Sequence, residues 1–316
     1  MKKLIKQIQN EIKKAKKIVI YGHIRPDGDC YGAQFGLKSI ILNTYPSKKV
    51  YVASDKSEYV SFLGTPDLIT EEIANNALSI VVDTGSENRI SSTLYKKGIK
   101  VIKIDHHLAN THYGDIVYVD TNSPSTAQMI ADYLFKTKSK ISSEGVTALF
   151  TGIVTDTGGF KYRGVSRDTF EIAGKLVNLG ADPSDINAIL NTQTLSNLKI
   201  KAYVLNNLVT TKHFVYCIIQ KNIYEELGVS SEEAASMVNQ MAMIEGFLVW
   251  GLIIEYEDCS IRVRLRAHGI KINELAQQYN GGGHAYAAGA SLQNFDEVSK
   301  FTQDVDTLVE NTLNGK

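Results

Sequence analysis

Short apolar runs in the first half of the chain alternate with helix-length stretches, and most of them end in a carboxylate or an imidazole. Lys17 to Tyr21, Val50 to Ala53, Ala77 to Val82 and Lys100 to Ile104 have the length and branched composition of strands, and Ile116 to Val119 adds another. Tyr31 to Leu42, stopped before Pro46, has a helical pattern. Strands alternating with helices predict βαβ units and a parallel sheet. Such a sheet lines up the residues just beyond its strands along one edge, at the carboxyl ends, where open α/β sheets bind ligands.

The residues at these strand ends are chemically uniform. His23, Asp27 and Asp29 come after the first run, Asp83 after the third, and Asp105-His106-His107 after the fourth. Asn122-Ser123-Pro124-Ser125-Thr126 reads as a helix start with hydroxyl caps and a proline in the first turn. Glu144 to Thr155 is apolar nearly all round, a buried helix ending at Asp156. A carboxylate closing a buried segment is costly without a partner, so Asp156 calls for a cation. Each residue alone has an ordinary reading: Pro26-Asp27-Gly28 is a turn, and Asp83 or Asp156 a cap. Together they suit a divalent first-row metal such as Mn²⁺, or Mg²⁺ with waters retained. One ion cannot use them all; two ions about 3.5–4 Å apart, sharing a carboxylate and an attacking water, can.

Composition bounds the alternatives. A chain of 316 residues has room for about two domains, and 43% apolar with 22% charged residues is ordinary for a globular protein. With 34 basic and 34 acidic residues there is no field for a long polyanion, although a short nucleotide needs only a local basic patch. Cys30, Cys217 and Cys259 are scattered, giving neither a disulfide framework nor a paired-cysteine metal site, and a reducing cytoplasm is the expected compartment. Leu4, Ile5, Ile8, Ile12 and Ala15 recur at helical spacing with lysines between them, which predicts a first helix packed on its own domain rather than a signal peptide or a membrane span.

The second half changes pattern. Ile186 to Leu190 and Leu195 to Leu208 read as helical stretches of a connector, so the expected division is a first domain over 1–189, a connector over 190–208 and a second domain over 209–316. Strands are predicted at Phe214 to Ile219, Leu248 to Tyr256 and Ser260 to Ala267, with a helix near Glu232 to Met243. Along the last strand, alternation sets Arg262, Arg264, Arg266 and His268 on one face, with Val263 and Leu265 on the other. Arg262 has an ordinary alternative in Glu255, Glu257 or Asp258; Arg264 and Arg266 read as phosphate contacts, because guanidinium forks match phosphate oxygens. The run Gly281-Gly282-Gly283-His284 is either a flexible turn or a loop whose N–H groups approach an anion. Met237, Met241 and Met243 read as core, and His112 and His213 as ordinary histidines without partners.

Taken in order, HIRPDGD, VVDTG, DHH and GIVTDTGG resemble the metal-binding motifs of the DHH phosphoesterases, and GGGHAYAAGA is similar to the motif of the accompanying DHHA1 domain. The resemblance spans nearly the whole chain and is closest to the branch that acts on nanoRNA and 3′-phosphoadenosine 5′-phosphate (pAp). It implies an α/β fold: an N-terminal parallel-sheet DHH domain with helices on both faces, and a smaller C-terminal α+β DHHA1 domain, with the active site in the cleft between them. It further implies two divalent ions, Mn²⁺ or else Mg²⁺, one held by His23, Asp27 and Asp83, the other by Asp29, Asp83, His106 and Asp156. Asp83 would bridge them, His107 would contact the scissile phosphate or assist proton transfer, and Asp105 would orient a neighbouring imidazole. Arg264, Arg266, His268, Gly281, Gly282, Gly283 and His284 would hold the substrate. Many relatives have a Ser-Lys pair where this chain has Ala267-His268, so the balance between pAp and short RNA or DNA oligonucleotides stays open. Rival readings are a cyclic di-AMP or linear pApA phosphodiesterase, an inorganic pyrophosphatase and a non-catalytic nucleotide sensor. A homodimer is compatible with any of them.

Overall fold

The computed structural model describes residues 2–108, 113–162, 164–242 and 244–315. His112 and Met243 lie outside the described residues. The chain divides into two compact units, Met1–Asn191 and Thr192–Lys316. Among the described residues no helix is long and apolar enough to cross a membrane.

The first unit runs α1 (Lys2–Lys14), β1 (Lys17–Tyr21), α2 (Gly28–Thr44), β2 (Lys49–Ala53), α3 (Glu71–Ala74), β3 (Leu78–Val82), β4 (Lys100–Asp105), β5 (Ile116–Val119), α4 (Thr126–Thr137), α5 (Ser143–Asp156), α6 (Arg167–Asn178) and α7 (Pro183–Asn191). Its five strands are all parallel in the order β2-β1-β3-β4-β5. From β1 the chain steps first to one side, to β2, and then to the other, to β3. The carboxyl ends of β1 and β3 therefore flank the topological switch point, the crevice where such sheets bind ligands. Ile18, Ile20, Ile80, Ile102 and Ile104 face the larger core, with the helical side chains Ile12, Leu37, Ile130 and Leu149. The opposite face carries Val19, Tyr21 and Val81 beneath Tyr95 and Tyr113.

Helices α2 and α5 approach closely because glycines face each other. A Cβ on Gly32 would stand 2.5 Å from the Ala148 carbonyl oxygen and 2.9 Å from the Gly152 backbone, so any side chain there forces the helices apart. This contact sets the N-terminus of α2, with Asp27 and Asp29, beside the C-terminus of α5, with Asp156. Helix α4 starts at Thr126, with the Ser125 hydroxyl accepting from the Gln128 N–H. The sequence places the proline in the first turn, but Pro124 instead precedes the Ser125 cap, whose hydroxyl is the better acceptor for the free N–H groups.

The second unit runs α8 (Leu195–Asn206), β6 (Val209–Thr210), β7 (Phe214–Ile219), α9 (Lys221–Glu226), α10 (Ser231–Ser236), β8 (Val249–Glu255), β9 (Ile261–Ala267), α11 (Asn273–Gln278), β10 (Gly282–His284), β11 (Ala287–Leu292) and α12 (Glu297–Leu313). Its mixed sheet has the order β10-β11-β9-β8-β7-β6, parallel only between β7 and β8. Val263 and Leu265 pack with Phe301 and Val305 of α12 on one face. Trp250, Leu252 and Ile254 pack with Ile200 and Val204 of α8 on the other, so α8 belongs to this core. Two expectations change here. The glycine run forms a strand, not a loop: Gly282 and Gly283 pair with Gly289 and Ala288, and a Cβ on Gly281 would fall 2.0 Å from the Gly289 carbonyl oxygen. His213 is not without partners, since its N–H donates to Asp306 Oδ1 at 2.9 Å and its ring lies 3.7 Å from Glu310 Oε1, both on a helix that sequence patterning left unassigned.

Candidate metal centre

Five backbone segments deliver the site. His23 stands just beyond β1 and is 6% exposed; its Nδ1 donates to the Ile24 carbonyl at 2.9 Å. A carbonyl only accepts, so Nδ1 carries a proton and Nε2 is the nitrogen that can take a metal or a second proton. That Nε2 lies 3.7 Å from Asp27 Oδ2 and 3.5 Å from Asp83 Oδ2. His106 repeats the arrangement beyond β4: Nδ1 donates to the Ser123 carbonyl at 3.2 Å, and Nε2 faces Asp29 Oδ2 at 3.9 Å, Asp83 Oδ1 at 3.5 Å and Asp156 Oδ2 at 3.4 Å. Both imidazoles are therefore fixed in the tautomer that metal ligation through Nε2 requires, with the other nitrogen anchored to a backbone carbonyl.

The carboxylates are positioned as tightly. Asp27 caps α2, its Oδ1 accepting from the N–H groups of Asp29 at 3.1 Å and Cys30 at 3.0 Å. That leaves Oδ2 directed at His23. Asp29, 1% exposed, accepts the first N–H groups of α4. Asp83, also 1% exposed, takes the left-handed backbone conformation at φ 51°. A non-glycine residue there is held by its surroundings: the Asp83 N–H donates to the Ile104 carbonyl at 3.0 Å, and Thr126 Oγ1 donates to Asp83 Oδ1 at 3.0 Å. Asp156 closes α5, where the helix dipole disfavours an anion.

These anions repel one another. Burial, then Asp83 and Asp156, push the Asp29 carboxyl well above the ordinary range. Asp156 is pushed up to about 6 by burial, against the pull of His106 and reinforced by Asp83. His23 is lifted as well: burial opposes its charge, but the neighbouring Asp27 and Asp83 carboxylates outweigh it. Such a cluster takes up protons where it lacks cations, and the donor set fits divalent ions. His23, Cys30 and Asp83, then Asp83, His106 and His107, then Asp29, His106 and Asp156 each bring ligand atoms within 4.8 Å of one another. Asp83 is common to the first two sets and His106 to the last two.

His107 stands half-exposed at the edge of this cluster, with the buried Asp105 behind it. The His107 Nδ1 donates to Asp105 Oδ1 at 2.9 Å and lies 3.5 Å from Asp83 Oδ1. The bond to Asp105 raises the proton affinity of His107 against the cost of burial. Every residue expected in the first unit is thus gathered in one place. Sequence patterning missed three others. Cys30 is a scattered cysteine in the sequence, yet its thiol is buried among His23 and Asp83. Thr126 lies in the helix start and also holds Asp83. Lys103 lies within an apolar run and is 1% exposed beside Asp105; a lysine interrupting a buried strand is the available signal.

In the second unit the arginines occupy one face of β9, as alternation predicts, and differ in partners. Arg262 lies over the Tyr256 ring and pairs with Asp258 at 3.0 Å. Arg264 pairs with Glu232 at 2.8 Å and donates to the Tyr256 hydroxyl at 3.2 Å. Arg266 donates to the Leu265 carbonyl at 2.8 Å, and no ion pair to it occurs among the described residues. Arg264 and Arg266 border a cavity of about 310 Å³ with Glu232, Ser236 and Asn239. His268 lies on the same face, its ring 4.7 Å from Trp250 and its Nε2 donating to the Ala242 carbonyl at 3.0 Å. Gly281, Gly282, Gly283 and His284 are two strands away, with His284, Ala287 and Arg266 in one cross-strand row, about 10 Å from end to end. Between them β11 presents only Ala287, Gly289 and Ser291 on this face, a low floor beside the guanidinium groups.

Comparison with known proteins agrees with this division. Residues 17–153 match the DHH family, N-terminal domain, and residues 211–311 match the DHHA1 domain. A protein of Bacillus subtilis named "Bifunctional oligoribonuclease and PAP phosphatase NrnA" is 35% identical over 295 residues, covering 92% of this chain and 94% of its own length. A Mycoplasma pneumoniae protein of the same name is 35% identical over 300 residues, 91% of each chain. The crystal structure of an exopolyphosphatase-related protein from Bacteroides fragilis shares the fold, with a TM-score of 0.85 at 24% identity over 98% of this chain and 96% of that one.

Proposed function

The chain belongs to the DHH family and carries a DHHA1 domain, and on that footing we propose that it hydrolyses short oligoribonucleotides to mononucleotides and pAp to AMP, at a centre of two divalent cations. The observation that carries the reading is the position of Asp83, whose two carboxylate oxygens each face the Nε2 of a different histidine at 3.5 Å. One carboxylate between two imidazoles of fixed tautomer is what a shared ligand of two cations requires.

We assign His23, Asp27 and Asp83 to one cation and Asp29, Asp83, His106 and Asp156 to the other, with Mn²⁺ the ion that this mixture of nitrogen and carboxylate donors favours. When bound, the cations supply charge neutralisation at the phosphoryl oxygens and a water of lowered pKa. The chain's own residues do the rest. Asp105 holds the His107 ring by Nδ1, which leaves Nε2 as the atom that steadies a phosphoryl oxygen or hands a proton to the leaving oxygen as the P–O bond breaks. The N-termini of α2 and α4 add favourable dipoles for the anionic group. Arg266 and Arg264 hold the substrate's other phosphate, and the floor of small residues up to Gly281, Gly282, Gly283 and His284 leaves space for a base or sugar beside it, with His268 at the rim.

The test is product formation by the purified protein in Mn²⁺, with and without chelator. Substrates are pAp, an RNA dinucleotide, a longer RNA, pApA, cyclic di-AMP and pyrophosphate. Chelator-sensitive turnover of the dinucleotide and pAp, abolished by Asp83→Ala, is the expected result. Turnover confined to cyclic di-AMP or pApA, or an active Asp83→Ala protein, overturns the assignment.

A further inference from the structure

Lys103 is among the largest fully buried side chains of the molecule, and the mechanism above gives it no task. Strand alternation turns it away from Ile102 and Ile104 and onto the opposite face of the sheet, beneath Tyr113. Its Nζ lies 3.3 Å from Asp105 Oδ2, donates to the Gly85 carbonyl at 3.1 Å and stands 4.4 Å from the centroid of the Tyr113 ring. Asp105 is 0% exposed, and among the described residues its Oδ2 has no other partner, while Oδ1 takes the His107 Nδ1 proton at 2.9 Å. The Gly85 carbonyl belongs to the turn that begins at Asp83. One ammonium therefore joins the two backbone segments that carry the bridging carboxylate and the outer histidine. Burying a lysine is costly, and a buried ion pair adds little net stability over an apolar pair, so the arrangement calls for a role beyond stability.

We propose that Lys103 is a positioning residue of the hydrolytic site. Its ammonium, itself anchored on the Gly85 carbonyl, fixes the Asp105 carboxylate, and through Asp105 it holds the His107 ring where Nε2 meets the phosphoryl group. The proposal rests on the function assigned above for its kinetic arm only. The ion pair, the turn and the ring orientation exist whatever the substrate.

The test is a double-mutant cycle of Lys103→Met and Asp105→Asn, because a residue acting through another loses its effect once the intermediary is gone. Lys103→Met is expected to lower kcat at least tenfold with KM and Mn²⁺ affinity within twofold, and to broaden or shift the downfield His107 Nδ1 proton in the NMR spectrum of histidine-labelled protein. In the Asp105→Asn background the same substitution is expected to change kcat by less than twofold. Lys103→Met leaves Asp105 with only the His107 ring beside it, and Asp105→Asn leaves the Lys103 ammonium buried without its anion, so both single variants are at risk of unfolding. The double variant buries no lone charge and restores the fold if the two residues act as a unit. Equal losses in both backgrounds overturn the proposal, and so does a folded Lys103→Met protein with wild-type kcat and an unchanged His107 resonance. If the wild-type protein hydrolyses none of the substrates, the functional assignment fails, and the resonance and fold of the four proteins still decide the role of Lys103.

Discussion

Asp29 Oδ2 accepts the backbone N–H of Thr126 at 2.7 Å, across 97 residues of sequence, and Asp29 Oδ1 accepts the next N–H, of Ala127, at 2.8 Å. One carboxylate thus satisfies the free amides at the start of α4 while facing His106 and the other acids of the centre. Asn at this position removes the charge that Asp83 and Asp156 repel but keeps only one of the two acceptor oxygens, its NH2 group facing the other backbone N–H.

In metal-free protein the relieved repulsion and the lost hydrogen bond oppose each other, so Asp29→Asn is expected to melt close to metal-free wild type. Mn²⁺ raises the melting temperature of the wild type by mass action, and in the variant that rise should shrink by more than half. Thermal melts with Mn²⁺ and with chelator measure both. A full Mn²⁺-induced rise in the variant would remove Asp29 from the ligand set.

The centre ties stability to pH with opposite signs in its two states. Asp156 has a pKa of about 6 in the folded chain and an ordinary value of 3.8 when unfolded, so folding takes up a proton between these values. Its contribution is fully present below 3.8 and is lost as pH rises through about 6. Asp29, His23 and His107, all raised, act in the same direction. Metal-free protein is expected to melt higher at pH 5.5 than at pH 7.5. Mn²⁺ competes with those protons, so its affinity should fall as pH is lowered, by roughly tenfold per pH unit for each proton displaced. Titration calorimetry at pH 5, 6 and 7.5 checks this; a pH-independent affinity would contradict it.

Gly32 is where the two helices that carry the acids touch. Gly32→Val places carbon 2.5 Å from the Ala148 carbonyl oxygen, a main-chain atom that cannot swing aside. A loss of about 1–3 kcal/mol is expected, or roughly 2–4 °C per kcal/mol for a unit of this size. Because Asp29 and Asp156 separate as the helices do, Mn²⁺ affinity should fall as well. A melting temperature and Mn²⁺ affinity equal to wild type would show that the contact is not decisive.

Arg264 and Arg266 of β9 should contribute unequally to substrate binding. Arg264 already answers Glu232, whereas among the described residues no acid answers Arg266. A charge-assisted pair to phosphate is worth about 1.5–3 kcal/mol, so Arg266→Ala is expected to raise KM for the RNA dinucleotide about 10- to 100-fold with kcat nearly unchanged. Arg264→Ala should cost less, and Glu232→Gln should tighten binding by releasing the Arg264 guanidinium. Steady-state kinetics on the variants give the ranking; a larger effect at Arg264 than at Arg266 would reverse the assignment.

Much of this was legible in one dimension, for a local reason. A buried strand needs a short branched apolar run, and a residue just past its carboxyl end has nowhere to point but the sheet edge. His23, Asp83 and the Asp105-His106-His107 triplet could be assigned to that edge because parallel strands share a direction. The alternation of Arg262, Arg264 and Arg266 is likewise a property of the strand itself.

What the sequence alone determined was the class of sheet, the edge on which the ligands gather and the face on which the arginines stand, because these depend on periodicities of two and of 3.6 residues. Only the tertiary structure decided the tautomers of His23 and His106, the grip of Thr126 on Asp83, the entry of Cys30 into the cluster, the pairing of Arg264 with Glu232 and the burial of Lys103 against Asp105. Most of these depend on which atoms meet across tens of residues of chain. Such encounters are set by how strands order and helices pack, and no local pattern encodes them.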